Sequence, residues 1–396
     1  MLIEIFIFML LGIIFGTITG LIPGIHINLV GVSLVALSVS LLSSMSPIYL
    51  VVFIVAMAIT HTFVDFIPSI FLGCPDTDTE LSILPGHELL KKGQGYSAIF
   101  LSAYGGLAAI FLLLLITPIS FLIIQEIYSI LQDIMPYVLL AVSAILILME
   151  KKKSSALFVF LLTGALGLSV LNLDLKEPLL PLLTGLFGSS MLIMSIKNKT
   201  AIPKQKISKP KIKRKFLSPL LGALIASPLS SMLPGLGSGQ AAILGNTISK
   251  TDREGFLVLL GATNTLVMGF SFVALYLIAR TRTGAAVAIN SLIGNFSWQI
   301  LLLILLVVLV TGIISFFLTL VLAKFFAKRI TNMNYTKLSF ITLGLLFIIV
   351  LIFSGFLGLI VLTFSTLTGI YCISLGIRRT NMMGCLLLPT IIFYLF

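Results

Sequence analysis

Two pairs of short polar segments repeat across this chain. Thr60-His61-Thr62 recurs as Thr263-Asn264-Thr265 after 203 residues, and Asp76-Thr77-Asp78-Thr79 recurs as Arg280-Thr281-Arg282-Thr283 after 204. The threonines are kept and the charge is inverted. Asp65, Asp76, Asp78 and Glu80 are four of only 13 acids, packed into otherwise apolar sequence. Inside a membrane such groups cost at least ~2.5–3.5 kcal/mol on insertion scales, so they pair or serve function. Three readings stay open. Asp76 and Asp78 pair with Arg280 and Arg282 and lock two halves together; or the arginines bind an anion while the acids, with His61 and Thr62, hold a coupling proton or Na+; or both loops lie in water at the membrane surface.

A second repeat lies upstream of each segment. Leu21-Ile22-Pro23-Gly24-Ile25-His26-Ile27-Asn28 and Leu233-Pro234-Gly235-Leu236-Gly237-Ser238-Gly239-Gln240 place their Pro-Gly pairs 211 residues apart, each in the first apolar stretch of its half. Proline removes a backbone donor and glycine admits unusual dihedrals, so each copy is expected to interrupt a helix. Matched breaks in two halves point to the binding site of a secondary transporter. His26, Asn28, Ser238 and Gln240 follow the breaks, where half-helix N-termini aim free N–H groups at an anion. Thr263, Asn264 and Thr265 are expected to help orient it. His87 and Glu88 follow a third break, Leu84-Pro85-Gly86, and read as a helix start near an interface. Asp65 receives no role of its own at this level.

The elements that must position these residues are membrane helices. The 396 residues are 59% apolar and 10% charged, outside the soluble range, and runs such as 300–323 and 338–353 approach the length of a hydrocarbon core. Alternating strand patterns are absent, so the expected class is an all-α polytopic membrane protein of roughly 10–12 membrane segments. The N-terminus lacks a basic n-region and a cleavage site, so its first apolar run reads as a permanent helix. Cys74, Cys372 and Cys385 have no metal-type spacing and read as inert thiols, and neither a metal nor a cofactor is expected.

The net charge of +12 does not imply nucleic acid, because the basic residues concentrate in a linker, 196–215, between apolar blocks. By the positive-inside rule this linker is cytoplasmic, as are Lys151-Lys152-Lys153, Lys324 with Lys328-Arg329, and Arg378-Arg379, while the loop with Asp174 and Glu177 is external. The organisation expected is a first repeat over 1–195 and a second over 216–396. Comparing their sidedness gives opposite orientations, hence an inverted-topology repeat with N- and C-termini external. Each half reads as a Pro-Gly-broken segment, a helix, an irregular polar segment, another helix and three further spans. Whether the broken segments cross fully or are re-entrant is open, and 241–249 looks short for a return crossing.

At Gly16-Thr17-Ile18-Thr19-Gly20-Leu21-Ile22-Pro23-Gly24, Gly73-Cys74-Pro75-Asp76-Thr77-Asp78-Thr79, Leu84-Pro85-Gly86-His87 and Leu233-Pro234-Gly235-Leu236-Gly237 the chain resembles the TctA family, the large membrane subunit of tripartite tricarboxylate transporters, and especially its shorter archaeal relatives. That resemblance implies an inverted-repeat carrier for small organic anions, driven by an ion gradient, in the cell membrane. The chain is shorter than the bacterial subunits and supplies no visible dock for a binding protein. The Pro-Gly motifs are also similar to those of polyprenyl-phosphate translocases, so a lipid-linked phosphate competes with a small carboxylate as cargo. A membrane-embedded enzyme acting on a lipid phosphate is the non-transport alternative, although no P-loop, Cys/His metal spacing or His-Glu-x-x-His motif is present. The expected partners are the anionic cargo, membrane lipids and a second copy in a homodimer.

Overall fold

A computed structural model of the chain describes residues 2–22, 46–72, 79, 83–175, 177–197, 203–212, 214–232, 237–280, 283–293, 296–330 and 335–395. Among these, seven helices are long and apolar enough to cross a membrane, and three shorter apolar helices accompany them. Helices are the form such sequence must take, because lipid offers no partner for backbone N–H and C=O groups. Large apolar side chains such as Phe6, Leu115, Leu122, Phe317 and Ile352 stay exposed on the outer faces, as a lipid-facing belt requires.

In the first half, α1 (Leu2–Leu21) lies along α2 (Pro47–Val64), and after a turn at Asp65 the chain continues as α3 (Phe66–Leu72) and α4 (Ile83–Lys91). α1 and α2 run parallel: Gly12 meets Phe53 and Ala56, Gly16 meets Met57 and Thr60, and Gly20 meets Val64. A side chain at Gly16 would collide with the Met57 carbonyl, so this seam exists only because the position is glycine. α5 (Gly95–Leu148) is one helix of 54 residues with Pro118 and Pro136 inside it. At ~1.5 Å per residue it is far longer than one crossing, and its two apolar parts, 95–124 and 136–148, serve as separate segments. The separate span expected near 134–150 is thus continuous with its predecessor. α6 (Lys153–Leu171), α7 (Leu179–Leu183), a π-helical turn (Thr184–Ser189) and α8 (Ser190–Lys197) complete this half.

α9 (Leu217–Met232) and α10 (Ser238–Ser249) form an antiparallel hairpin, because Gly222 abuts Gly245 and the Ser218 hydroxyl donates to the Ser249 carbonyl at 3.0 Å. Its two ends meet: Lys215 pairs with Asp252, which also caps α11 (Arg253–Ile278) by accepting from the Gly255 amide at 2.9 Å. The short return helix therefore goes back to the end it came from. α12 (Gly284–Leu292), α13 (Trp298–Ile330), α14 (Tyr335–Ser374) and α15 (Gly384–Leu395) follow. α14 breaks at Gly355, whose φ of 67° and ψ of −164° suit glycine. This break coincides with the loop expected near 354.

The halves exchange partners. α11 packs parallel along the first part of α5, with Gly261 against Ser102, Val258 against Gly105 and Gly269 against Leu113, while α2 packs against α13. Farther out, α6 packs on α15, with Gly167 against Cys385, and α14 packs on the π-helical turn, with Gly185 against Ser365. The described part of the basic linker is pinned to the bundle. Gln205 accepts from the Gly95 amide at 2.9 Å and donates to the Leu90 carbonyl at 3.0 Å, and the Ser97 hydroxyl donates to the Ser208 carbonyl at 2.8 Å.

Candidate functional site

The two threonine segments meet. Thr62 lies on α2 and Thr265 near the middle of α11, and their hydroxyl oxygens are 3.4 Å apart. They are 203 residues apart, the same spacing that separates the two motifs. Matching side bonds accompany this contact: the Ser69 and Thr79 hydroxyls are 2.6 Å apart, and those of Ser271 and Thr283 are 2.9 Å apart. Thr283 also caps α12 by accepting from the Ala286 amide at 3.2 Å.

Around this contact the interior is polar and buried. Thr60, His61, Thr62, Asp65, Thr263, Asn264 and Thr265 are all nearly inaccessible. The Asn264 amide donates to Asp65 Oδ2 at 2.9 Å and to the Thr62 carbonyl at 3.3 Å, tying α11 to the turn that ends α2. His61 Nδ1 lies 3.2 Å from the Thr19 hydroxyl on α1, and Ser315 on α13 donates to Thr60 at 2.9 Å. Thr263 is turned to its own helix, donating to the Leu259 and Leu260 carbonyls at 3.0 Å.

The described helix ends nearest to each Pro-Gly pair lie close to this contact. α1 ends at Leu21 beside the turn, with Gly20 against Val64 and close to the Asp65 amide. The hairpin helices end nearby too: Ala226 on α9 and Ala241 on α10 cluster with Val267 on α11, one turn beyond Asn264. Ser238, the first residue of α10, is 1% exposed. Ser230 on α9 sits 211 residues after Thr19, and among the described residues its buried hydroxyl has no hydrogen-bond partner.

Other expected site residues fall elsewhere. Arg280 follows the left-handed cap at Ala279, is exposed, and stacks over the Tyr128 ring at 5.7 Å, about 20 Å along the helix from Asn264 at ~1.5 Å per residue. It is not part of the buried cluster. His26, Asn28, Asp76, Asp78, Glu80 and Arg282, and the side chain of Gln240, lie outside the described residues, so the expected carboxylate–guanidinium quartet does too. Glu88, read as interfacial, pairs with Arg253 at the start of α11 at 2.6 Å, with both side chains partly exposed. Asp65 is the residue that sequence reasoning left without a role. Its signal was spacing: it follows His61 by four residues, one helical turn on the same face.

A bundle of membrane-length helices around a buried polar contact defines a polytopic helical membrane protein. The chain belongs to the tripartite tricarboxylate transporter TctA family, whose family model matches residues 6–384. It is also similar to an uncharacterized protein of Methanocaldococcus jannaschii, 32% identical over 399 residues and covering 98% of each chain. No solved structure matches it.

Proposed function

We propose that the protein is a secondary-active carrier for a small organic carboxylate, working by alternating access between two inverted repeats in the cell membrane. The observation that carries this reading is the convergence of α1 and the α9–α10 hairpin on the Thr62–Thr265 contact. The N-terminus of α10, at the buried Ser238, supplies partial positive charge at depth, which suits an anion that must be released again. Ser238 and Thr265, with His26, Asn28 and Gln240 beyond the breaks, orient the carboxylate, while Thr263 and Asn264, whose donors are engaged with α11 and with Asp65 and Thr62, hold the helices beside it. Arg280 and Arg282 draw anions to the end of α11, and His61 and Thr62 with Asp76, Asp78 and Glu80 serve ion coupling. The linker and the other basic clusters face the cytoplasm, and the termini face outward. The family's printed description, tripartite tricarboxylate transporter, supports a carboxylate cargo.

The test is uptake of labelled dicarboxylates and tricarboxylates by proteoliposomes holding the purified chain, with a Na+ or proton gradient imposed. Accumulation of one carboxylate above the protein-free control is expected. No uptake of any of them, with movement of a labelled polyprenyl phosphate between leaflets instead, overturns the cargo assignment.

A further inference from the structure

The α9–α10 hairpin has a fixed register. Ser218 meets Ser249 and Gly222 meets Gly245, so each step of four residues up α9 is matched by four down α10. Ala226 and Ala241, the next step, share one apolar cluster. One step further sets Ser230, in the last turns of α9, opposite Gly237, whose carbonyl accepts the first bond of α10 from the Ala241 amide at 3.1 Å. Ser230 thus faces the N-terminus of α10, a helix of 12 residues. Three serines end α9, and they differ in how their hydroxyls are spent. Ser227 donates to the Ala223 carbonyl at 2.6 Å and Ser231 to the Pro228 carbonyl at 2.8 Å, each within its own helix. Ser230 is 0% exposed, and its hydroxyl has no partner among the described residues. Native folds rarely leave such a group unpaired, because a buried polar atom without a partner costs stability. The residues that join the two helices, Leu233-Pro234-Gly235-Leu236, lie outside the described residues and carry no polar side chain.

Charge decides which partner suits this hydroxyl. A helix N-terminus carries partial positive charge, so a ligand lying between it and Ser230 is an anion rather than a cation. Gly237, at the cap position, has no side-chain oxygen to occupy that pole. From Phe216 to Ser249 no side chain is charged, so the hairpin offers hydrogen bonds and a dipole but no ion pair. Such a grip suits cargo that must leave again. We propose that Ser230 is a cargo-binding residue, its hydroxyl donating to one oxygen of a carboxylate held at the N-terminus of α10; this rests on the carrier reading above. The two helices of the hairpin then share the anion. α10 supplies the dipole, and α9 supplies a donor whose position is set by the glycine-and-serine seam between them.

The test follows thermal unfolding of the purified full chain while sodium succinate, sodium citrate or sodium phosphate replaces sodium chloride at fixed pH and ionic strength. The wild type is expected to unfold at a higher temperature with at least one of the two carboxylates. Ser230→Ala removes a hydroxyl that spends no bond on the described residues, so its midpoint in chloride should equal or exceed that of the wild type. Its half-saturating carboxylate concentration should rise by about tenfold, the usual worth of a hydrogen bond to a charged group. Ser227→Ala is the control, because that hydroxyl is bonded within its own helix, and its half-saturating concentration should match the wild type. A wild type that responds to neither carboxylate, or to phosphate alone, overturns the inference. So does a Ser230→Ala protein with an unmoved half-saturating concentration, or an equal rise in Ser227→Ala. A Ser230→Ala midpoint that falls in chloride, or a protein that does not fold, gives the hydroxyl a structural bond and overturns it too. Failure of the carrier reading looks different: no carboxylate uptake by proteoliposomes, with the Ser230-dependent shift intact.

Discussion

At the residue scale, backbone-to-backbone contact sets the tightest constraints. A methyl group on Gly261 would run into the Ser102 carbonyl of α5, where no side chain can yield. Gly261→Ala is therefore expected to cost at least about 2 kcal/mol and to show as a lowered unfolding temperature and loss of a monodisperse peak. Gly344 is the control, because nothing lies within 4 Å of its added carbon. Gly344→Ala should be neutral or stabilise by up to ~1 kcal/mol, since alanine favours the helix. The Thr62–Thr265 contact is long at 3.4 Å. A double-mutant cycle with Thr62→Val and Thr265→Val should yield a coupling near ~0.6 kcal/mol, the usual size for a hydrogen bond between membrane helices. A coupling of zero would mean that the axis contact is steric only.

At the element scale, the linker behaves as a strap. Its Gln205 satisfies the first amide of α5 and the Leu90 carbonyl at the end of α4, groups that helix termini otherwise leave open. Gln205→Ala removes both bonds, each worth ~1 kcal/mol, so local opening should rise by about thirtyfold. Trypsin cleavage at Lys204, Lys206 and Lys211 should accelerate in proportion while the unfolding temperature of the bundle barely moves. Equal cleavage rates would show that the strap is held by something else. The α9–α10 hairpin makes a related point. With 12 residues, α10 is too short to cross and is stable because glycines let it lie against α9.

At the scale of the whole molecule, element order repeats with a near-constant offset. α5 starts at Gly95 and α13 at Trp298, 203 residues later, and the part of α14 after Gly355 starts 203 residues after Lys153. The packing is reciprocal, with α11 on α5 and α2 on α13. If the two halves are inverted copies, sidedness is the sharpest test. Trypsin should cut the linker in inside-out vesicles and spare it in right-side-out ones, while a Glu4→Cys label in a cysteine-free background should react with a membrane-impermeant reagent only from outside. Both sites responding from one side would remove the inverted topology and the alternating-access reading with it.

Composition and periodicity alone determined that this is a helical membrane protein, because apolar runs of membrane length admit no other backbone arrangement. The offset repeat of Thr60-His61-Thr62 and Pro23-Gly24 was equally legible, since duplication leaves identity in the one-dimensional string. What stayed hidden was partnership. Asp65 looked like one acid in a cluster, and Asn264 like a copy of His61; that they share a hydrogen bond depends on how α2 crosses α11. The same crossing leaves Arg280 over Tyr128, away from the hydroxyls with which its repeat position had grouped it. Spacing along one helix follows from its pitch, but contacts between helices depend on where glycines let backbones approach, and only the packed bundle decides that.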